Sequence, residues 1–181
     1  MALKATIFKA DVQISDMDRN YYENHALTIA RHPSETDERM MMRVLAFMLH
    51  ASERLAFGKG LSAEDEPDLW QKDFTDAIEL WIDVGLPDDK RILKACGRSE
   101  RVIVYAYGSA ASIWWNQTGS RIERAKKLTV YTIDSATSTA LAAFAERTMQ
   151  LQCTIQDGQA WVTCGDKTVQ IDPVLLQGER D

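Results

Sequence analysis

The chain is poor in cysteine, and its cysteines are not arranged for metal binding or for a disulfide framework. Three occur in 181 residues and none forms a CxxC pair, so neither a zinc site nor a disulfide-stabilised fold is indicated. No stretch approaches the roughly 20 consecutive apolar residues that span a bilayer, and the first residues lack the apolar run of a signal peptide. We therefore expect a cytoplasmic protein that does not enter the membrane.

Glycine-rich phosphate loops and an excess of positive charge are also missing. Neither GxGxxG nor GxxxxGK[ST] occurs, which disfavours nucleotide binding through a glycine loop. The net charge of −6 argues against a protein that coats nucleic acid nonspecifically, because such binding needs cations to neutralise phosphates. Basic residues do cluster at 90–101 and 121–127, although the solvated side of a helix is the simpler interpretation of both clusters.

What is present is typical of a soluble globular protein. The apolar fraction is 45% and the charged fraction 27%, and the length fits one compact domain with a substantial core. The pattern of elements predicts an α/β protein, leaning to α+β, with a mixed central β-sheet flanked by helices. An N-terminal hairpin is expected at 3–30 and a C-terminal β-meander at 149–172, where Asp157-Gly158 forms a tight turn.

The first third of the chain predicts two strands and a long helix. Alternation of apolar and polar residues predicts strands at 3–15 and 21–30. Ser34 is a suitable N-cap for a helix ending at Gly58, with an inward stripe that includes Met41, Val44, Leu45, Met48, Leu55 and Ala56, and an opposite side with Arg39 and Arg43. Glu38 lies on the inward stripe, whereas Glu35 is interpreted as acidic decoration of the helix N-terminus.

Two aspartates interrupt short apolar segments in the middle of the chain. Asp68 follows a proline, and Asp83 lies near the end of residues 80–84, which resemble a buried strand. A carboxylate there is costly unless it is paired, hydrogen-bonded or bound to a cation. On a hairpin, both could converge on one divalent ion with the oxygen ligands that magnesium prefers. A local role is equally compatible, with Asp68 capping a turn and Asp83 capping the helix that begins near Pro87.

The following residues predict a βαβ unit at 80–107. Its helix runs from Pro87 to Cys96, with Ile92, Leu93 and Cys96 inward and Lys90 and Lys94 together on the outer flank. The apolar, β-branched run 101–107 predicts a central parallel strand. Further on, we expect a strand containing Trp114-Trp115 with one indole in the core, a strand at 128–133 and a helix at 138–147 with Leu141 and Phe144 inward.

The order of these residues resembles the PD-(D/E)XK nuclease superfamily, and the chain as a whole is similar to the bacterial YaeQ family. Five stretches carry the resemblance: RHPSETDERM at 31–40, GLS at 60–62, EPDLW at 66–70, WIDVG at 81–85 and KAC at 94–96. The resemblance implies a restriction-endonuclease-like core at about 34–134. Pro67-Asp68 then matches the PD element and Asp83 the D/E position, but Gly85 stands where the lysine is expected.

The same resemblance implies a metal-dependent chemistry. Asp68, Asp83 and Glu38 would hold magnesium, and Lys90 or Lys94 would replace the missing lysine. The expected function is magnesium-dependent phosphodiester hydrolysis on a nucleic acid. The alternative is a non-enzymatic regulatory or binding protein on a degenerate nuclease scaffold, which contacts a protein partner in gene expression.

Overall fold

The computed structural model describes residues 4–180. Within them the chain is a mixed α+β protein with two mixed β-sheets and four α-helices. Two compact units are present in the described part, one formed by residues 4–49 and 136–172 and the other by residues 50–135 and 173–180. Residue 3, where the first strand was expected to begin, lies outside the described residues. None of the helices in the described part is long and apolar enough to cross a membrane.

Strands and helices alternate from residue 78 to residue 156, and strands follow one another directly at both ends of the described chain. The strands are β1 (Thr6–Asp16), β2 (Tyr21–Arg31), β3 (Leu55–Phe57), β4 (Leu69–Lys72), β5 (Ile78–Val84), β6 (Ser99–Tyr107), β7 (Leu128–Ile133), β8 (Thr148–Gln156), β9 (Gln159–Cys164), β10 (Lys167–Ile171) and β11 (Val174–Gln177). The α-helices are α1 (Asp37–His50), α2 (Asp89–Arg98), α3 (Ala111–Ile122) and α4 (Ser135–Ala142), and a short 3-10 helix spans Gly60–Ser62.

The first unit is built on a five-stranded sheet in the order β10-β9-β8-β1-β2. β1 and β2 form the expected hairpin, and β1 also pairs in parallel with β8. Side chains of β1 alternate between buried and exposed, as a strand with one covered face requires. Phe47 of α1 lies edge-on to His25 of β2, with ring centroids 5.1 Å apart, so α1 packs on this sheet.

Helix α1 is shorter than expected. It begins at Asp37, where the Oγ1 of Thr36 accepts a hydrogen bond from the Arg39 amide at 3.1 Å, so Thr36 rather than Ser34 is its N-cap. It ends at His50, and Leu55, expected on its inward stripe, lies in β3 and pairs with β4. The apolar spacing of 41–56 therefore spans two elements, and only its first part is helical.

Two charged residues in or just before α1 are buried, although they were expected to be exposed. Arg43 was placed on the outer side and Glu35 was interpreted as decoration, yet both are buried. Arg43 donates from Nε to Glu35 Oε2 at 2.9 Å and from Nη2 to Oε1 at 2.5 Å. Every residue from Met40 to Met48 is buried, so this part of the helix has no solvent-exposed face on which Arg43 could lie. The buried charge of Arg43 is tolerated because it is paired with Glu35.

The second unit contains a six-stranded sheet in the order β11-β7-β6-β5-β4-β3. The predicted βαβ unit is confirmed: β5 pairs in parallel with β6 on either side of α2 in the chain, and β6 pairs in parallel with β7. The expected single central sheet is therefore two sheets, because β1, β2 and β8–β10 pair among themselves.

Several local predictions in the second unit were wrong. Leu93, expected inward, is 45% exposed, whereas Ile92 is 1% exposed as predicted. The tryptophan pair lies on helix α3 rather than on a strand; Trp114 is buried, and its indole N–H donates to the carbonyl of Pro87 at 2.7 Å. One indole of the pair is thus in the core as predicted, but because one side of helix α3 is buried and not because strand residues alternate.

Candidate functional site

Asp68 and Asp83 meet in the second unit on neighbouring strands. Asp68 directly precedes β4 and Asp83 is the penultimate residue of β5, and the two strands are antiparallel with Leu69 opposite Ile82. This register brings Asp68 and Asp83 opposite each other. Their exposed fractions are 1% and 2%, so both carboxylates are withdrawn from water and need partners.

Hydrogen bonds to the backbone tie the two aspartates together. Asp68 Oδ2 accepts from the Val84 amide at 2.9 Å, and the Asp68 amide lies 3.4 Å from Asp83 Oδ1. The interpretation of Asp83 as a helix cap was wrong. Asp88 caps α2 instead, its Oδ1 accepting from the Arg91 amide at 2.8 Å.

Arg91, a residue that the sequence pattern did not assign to the site, pairs with Asp83. Its Nε lies 2.9 Å from Asp83 Oδ2 and its Nη2 lies 3.1 Å from Asp83 Oδ1. A guanidinium that meets both oxygens of one carboxylate makes the strongest kind of protein ion pair. The sequence places Arg91 in the first turn of a helix that begins six residues after Asp83, which could have indicated an ion pair. Lys90 lies in the same turn, so this position alone does not identify the partner.

Arg91 also fixes the loop that precedes β4. Its Nη1 donates to the carbonyl of Glu64 at 2.8 Å and its Nη2 to that of Glu66 at 3.0 Å. Arg98 donates to the carbonyl of Asp65 at 2.8 Å, and Lys94 lies 3.0 Å from the Asp65 carboxylate. The hydrogen bond and charge of Lys94 lower the pKa of Asp65. Residues 64–66 are thus held to α2 by three cations, and we call this segment the latch loop.

Gly60, the first residue of the short 3-10 helix, lies close to Asp68. Its φ is +50°, and a Cβ added there would lie 2.6 Å from Asp68 Oδ1. Only glycine combines this backbone conformation with such a close approach. One Asp68 oxygen therefore faces the Gly60 backbone while the other accepts from Val84.

The remaining predicted site residues lie in different surroundings. Lys90 and Lys94 are exposed on α2, and Lys94 is engaged with Asp65 rather than with an aspartate of the buried pair. Glu38 is half-buried in the first turn of α1, which belongs to the first unit. The three-carboxylate site therefore stays a prediction, whereas the Asp68–Asp83 pair is a feature of the second unit.

The donor set at the pair fits magnesium poorly. Magnesium requires near-octahedral oxygen coordination, but both oxygens of Asp83 receive N–H groups of Arg91, and one oxygen of Asp68 receives that of Val84. Among residues 4–180, no group of three or more His, Cys, Asp or Glu side chains is placed to hold a metal ion. In this arrangement the pair suits a guanidinium better than a metal.

The sequence matches one family model and several curated relatives over nearly its whole length. The model described as YaeQ protein matches residues 1–173. A Salmonella typhi protein described as "Uncharacterized protein YaeQ" is 51% identical over 178 residues, covering 98% of each chain. One of the same description from Escherichia coli strain K12 is 47% identical over 178 residues, with the same coverage.

Two solved structures have the same fold. The crystal structure of YaeQ protein from Xanthomonas axonopodis pv. citri superposes with a TM-score of 0.93 at 47% identity, covering 97% of this chain and 99% of the other. That of YaeQ protein from Pseudomonas syringae gives a TM-score of 0.94 at 37% identity and covers 98% of each chain.

Proposed function

The chain belongs to the YaeQ family, and we propose that it is a non-enzymatic binding protein on a degenerate PD-(D/E)XK nuclease-like scaffold, acting through a protein partner in gene expression. One observation carries the proposal. The Arg91 guanidinium meets both oxygens of Asp83 at 2.9 and 3.1 Å, so the residue that would bind a metal in a nuclease is already paired with a cation from the chain.

Replacing that cation by magnesium is unfavourable on physical grounds. Arg91 must leave a carboxylate that is only 2% exposed, and its Nη1 and Nη2 must also leave the Glu64 and Glu66 carbonyls. Magnesium in turn gives up its water ligands reluctantly. The pair and Arg91 therefore serve as an internal ionic link that fixes α2, β5 and the latch loop in one arrangement.

The outer face of α2 supplies a surface on which a partner can bind. Lys90, Leu93 and Lys94 recur at helical spacing and share this face, and all three are exposed. Leu86, just before the helix, is 39% exposed. Apolar side chains beside cations are suited to a partner segment that carries both apolar and acidic residues.

Magnesium titration followed by amide NMR tests the proposal. We expect no saturable shift of the Val84 or Asp68 amide at millimolar magnesium in the unmodified protein. Arg91→Ala should gain a weak saturable response, because it bares the acidic pair, and Arg91→Ala with Asp83→Asn should lose it again. Saturable magnesium binding by the unmodified protein, abolished by Asp83→Asn, would overturn the proposal.

Affinity capture tests the partner surface. A captured partner should be retained by Asp83→Asn and lost with Lys90→Glu or Lys94→Glu, because only the latter change the α2 face. Thr28→Ala, an exposed position of the first unit, is the control. Retention by both lysine variants would place the partner elsewhere.

Magnesium-dependent phosphodiester hydrolysis on a nucleic acid is the second candidate, and the opposition of Asp68 and Asp83 across β4 and β5 favours it. In that case Asp68 and Asp83 would hold magnesium, with Lys90 or Lys94 as the migrated lysine. The metal would acidify water and offset phosphate charge. Cleavage of labelled DNA or RNA that requires magnesium and is abolished by Asp83→Asn supports this candidate, and the separate lysine variants identify the basic residue.

A further inference from the structure

The uncovered face of the five-stranded sheet carries a row of amide and hydroxyl side chains. The row consists of Asn24, Gln13, Gln152, Thr163 and Thr168, which are successive register partners across all five strands. Side chains at paired positions lie on the same face. A sheet face exposed to water ordinarily mixes polar with charged residues, whereas this row has no charged member.

The row lies along a groove. The main hollow has a volume of ≈ 670 Å³ and is lined by residues that include Gln13, Asn24, Gln152 and Thr163. A second hollow of ≈ 300 Å³ shares Gln13 and Asn24 and extends to Tyr22. The main hollow falls within the range of roughly 300–1,000 Å³ that small-molecule sites occupy.

The middle of the groove offers hydrogen-bonding groups that the protein does not use. The side-chain amides of Gln13, Asn24 and Gln152 form no hydrogen bond within the described range 4–180, although the backbones of these residues belong to the sheet. Their neighbours are fixed: Gln150 donates to Asp11 Oδ2 at 2.8 Å, and the hydroxyls of Thr163 and Thr168 lie 2.8 Å apart. Each unused amide provides two donor hydrogens and one acceptor oxygen.

The charge of the groove selects among ligand classes. On this face its described lining contains one carboxylate, Asp11, and neither lysine nor arginine. Glu23 pairs with Ile14 and so lies on the opposite face. No lysine or arginine of the described lining can neutralise a phosphate, so nucleotides and nucleic acids suit the groove poorly. A ligand with many neutral hydroxyls does suit it, because amides and carboxylates serve both the donor and the acceptor side of each hydroxyl.

We propose that this groove binds a neutral oligosaccharide. The three unused amides follow the strand-to-strand step of about 4.8 Å, which is close to the length of one pyranose ring. Tyr22 at the end of the groove is 55% exposed, and its ring offers an apolar face on which a sugar ring stacks while its hydroxyl stays in water. The proposal concerns the first unit and is independent of the acidic pair.

Amide NMR of the full chain tests it, with cellotetraose, maltotetraose and chitotetraose as separate probes at millimolar concentration. At least one should give saturable shifts confined to the groove strands. Gln13→Ala and Gln152→Ala should each weaken binding about tenfold through lost hydrogen bonds, and Tyr22→Ala should weaken it through lost stacking. The control is Gln156→Ala. Gln156 is exposed and lies on β8 with Gln152 but outside the lining of the groove, so this variant should bind the sugar normally.

Three results would overturn the proposal. The first is the absence of saturable shifts with all three sugars in a protein whose spectrum is that of the folded chain. The second is binding that Gln13→Ala, Gln152→Ala and Tyr22→Ala all leave unchanged. The third is a shift of the groove amides with a thymidine oligonucleotide but with no sugar, because it would show that the ligand is not neutral. If one of the two glutamine variants fails to fold, the other glutamine variant and Tyr22→Ala still test whether the groove binds the sugar.

Discussion

Arg91 approaches Asp83 with two nitrogens, one to each carboxylate oxygen, although the two residues lie on different elements, α2 and β5. The Asp83 side chain is 3% exposed and that of Arg91 is 28% exposed. The Asp83 carboxylate is thus buried whereas the Arg91 guanidinium keeps some contact with water. Asp83 depends on Arg91 to offset the cost of burying a negative charge.

Arg91→Ala should therefore destabilise the protein strongly. We expect a loss of about 3 kcal/mol, the lower end of the range for breaking a buried ion pair, because Arg91 keeps some contact with water. Arg91→Lys keeps the charge but loses the two-pronged geometry, so its loss should be intermediate. Urea unfolding with an unchanged m-value measures both. Equal stability of Arg91→Ala and the unmodified protein would show that the Arg91–Asp83 contact contributes nothing to folding.

Gly60 should be intolerant of a side chain for two reasons that a matched control separates. Gly165 has a similar positive φ of +63°, but nothing lies within 4 Å of an added Cβ there. Gly165→Ala should cost only the backbone strain of about 1–2 kcal/mol. Gly60→Ala adds a clash with Asp68 Oδ1 and should cost at least about 1 kcal/mol more, from the disturbed carboxylate. Urea unfolding of both variants gives the difference, and equal losses would contradict the contact.

Local signals in the sequence predicted the elements that local chemistry determines. Asp157-Gly158 predicts a tight hairpin, and both residues have positive φ, 53° and 75°, between β8 and β9. The apolar run at 101–107 predicts a buried strand, and β6 lies inside its sheet. In each case the signal and the structure it specifies lie within a few residues.

The unpredicted features depend on contacts between distant segments. The parallel pairing of β1 with β8 joins residues such as Val12 and Leu151, and neither strand carries a sign of its partner. Within the site, Asp68 and Asp83 were singled out because a buried carboxylate is costly wherever it occurs. Arg91 was not, because α2 carries several cations, and only the folded latch loop determines which one turns toward the pair.

The thiol of Cys153 should be unreactive. Burial raises its pKa from 9.0 to about 12, with a further contribution from the charge of Asp16, so the nucleophilic thiolate is absent at mildly alkaline pH. Iodoacetamide should modify the half-buried Cys96 and Cys164 well before Cys153, as mass spectrometry of the digested protein can show. Early labelling of Cys153 in the folded protein would contradict its burial.

The same pKa shift makes stability depend on alkaline pH. The folded-state pKa of Cys153 lies above the unfolded value, so the unfolded thiol ionises first as pH rises. Stability should be fully present below pH 9.0 and fall between there and about 12. Cys153→Ala should flatten this part of the stability profile, whatever it does to stability at neutral pH. An unchanged slope in that variant would assign the alkaline loss to other groups.

The latch loop should open more readily when its cations are removed, without unfolding of the unit that contains it. Arg98 donates to the Asp65 carbonyl, whereas the Lys94–Asp65 pair is exposed on both sides and is expected to contribute little. Arg98→Ala should thus speed hydrogen exchange of the Glu66 amide in this loop and of the Ala63 amide just before it, both of which close turns, by about tenfold. Lys94→Ala should change it much less.

The control for the latch is Arg121→Ala, because Arg121 is also exposed and lies 3.8 Å from an α2 residue, Asp89, but does not contact the loop. It should leave the Ala63 and Glu66 amides unchanged. Exchange at β6 amides, deep in the same sheet, should be the same in all three variants, because a local opening leaves the core closed. Faster exchange in β6 as well would mean that the latch loop and the sheet open together. The latch loop would then unfold with the core and would not open separately beside Asp68 and Asp83.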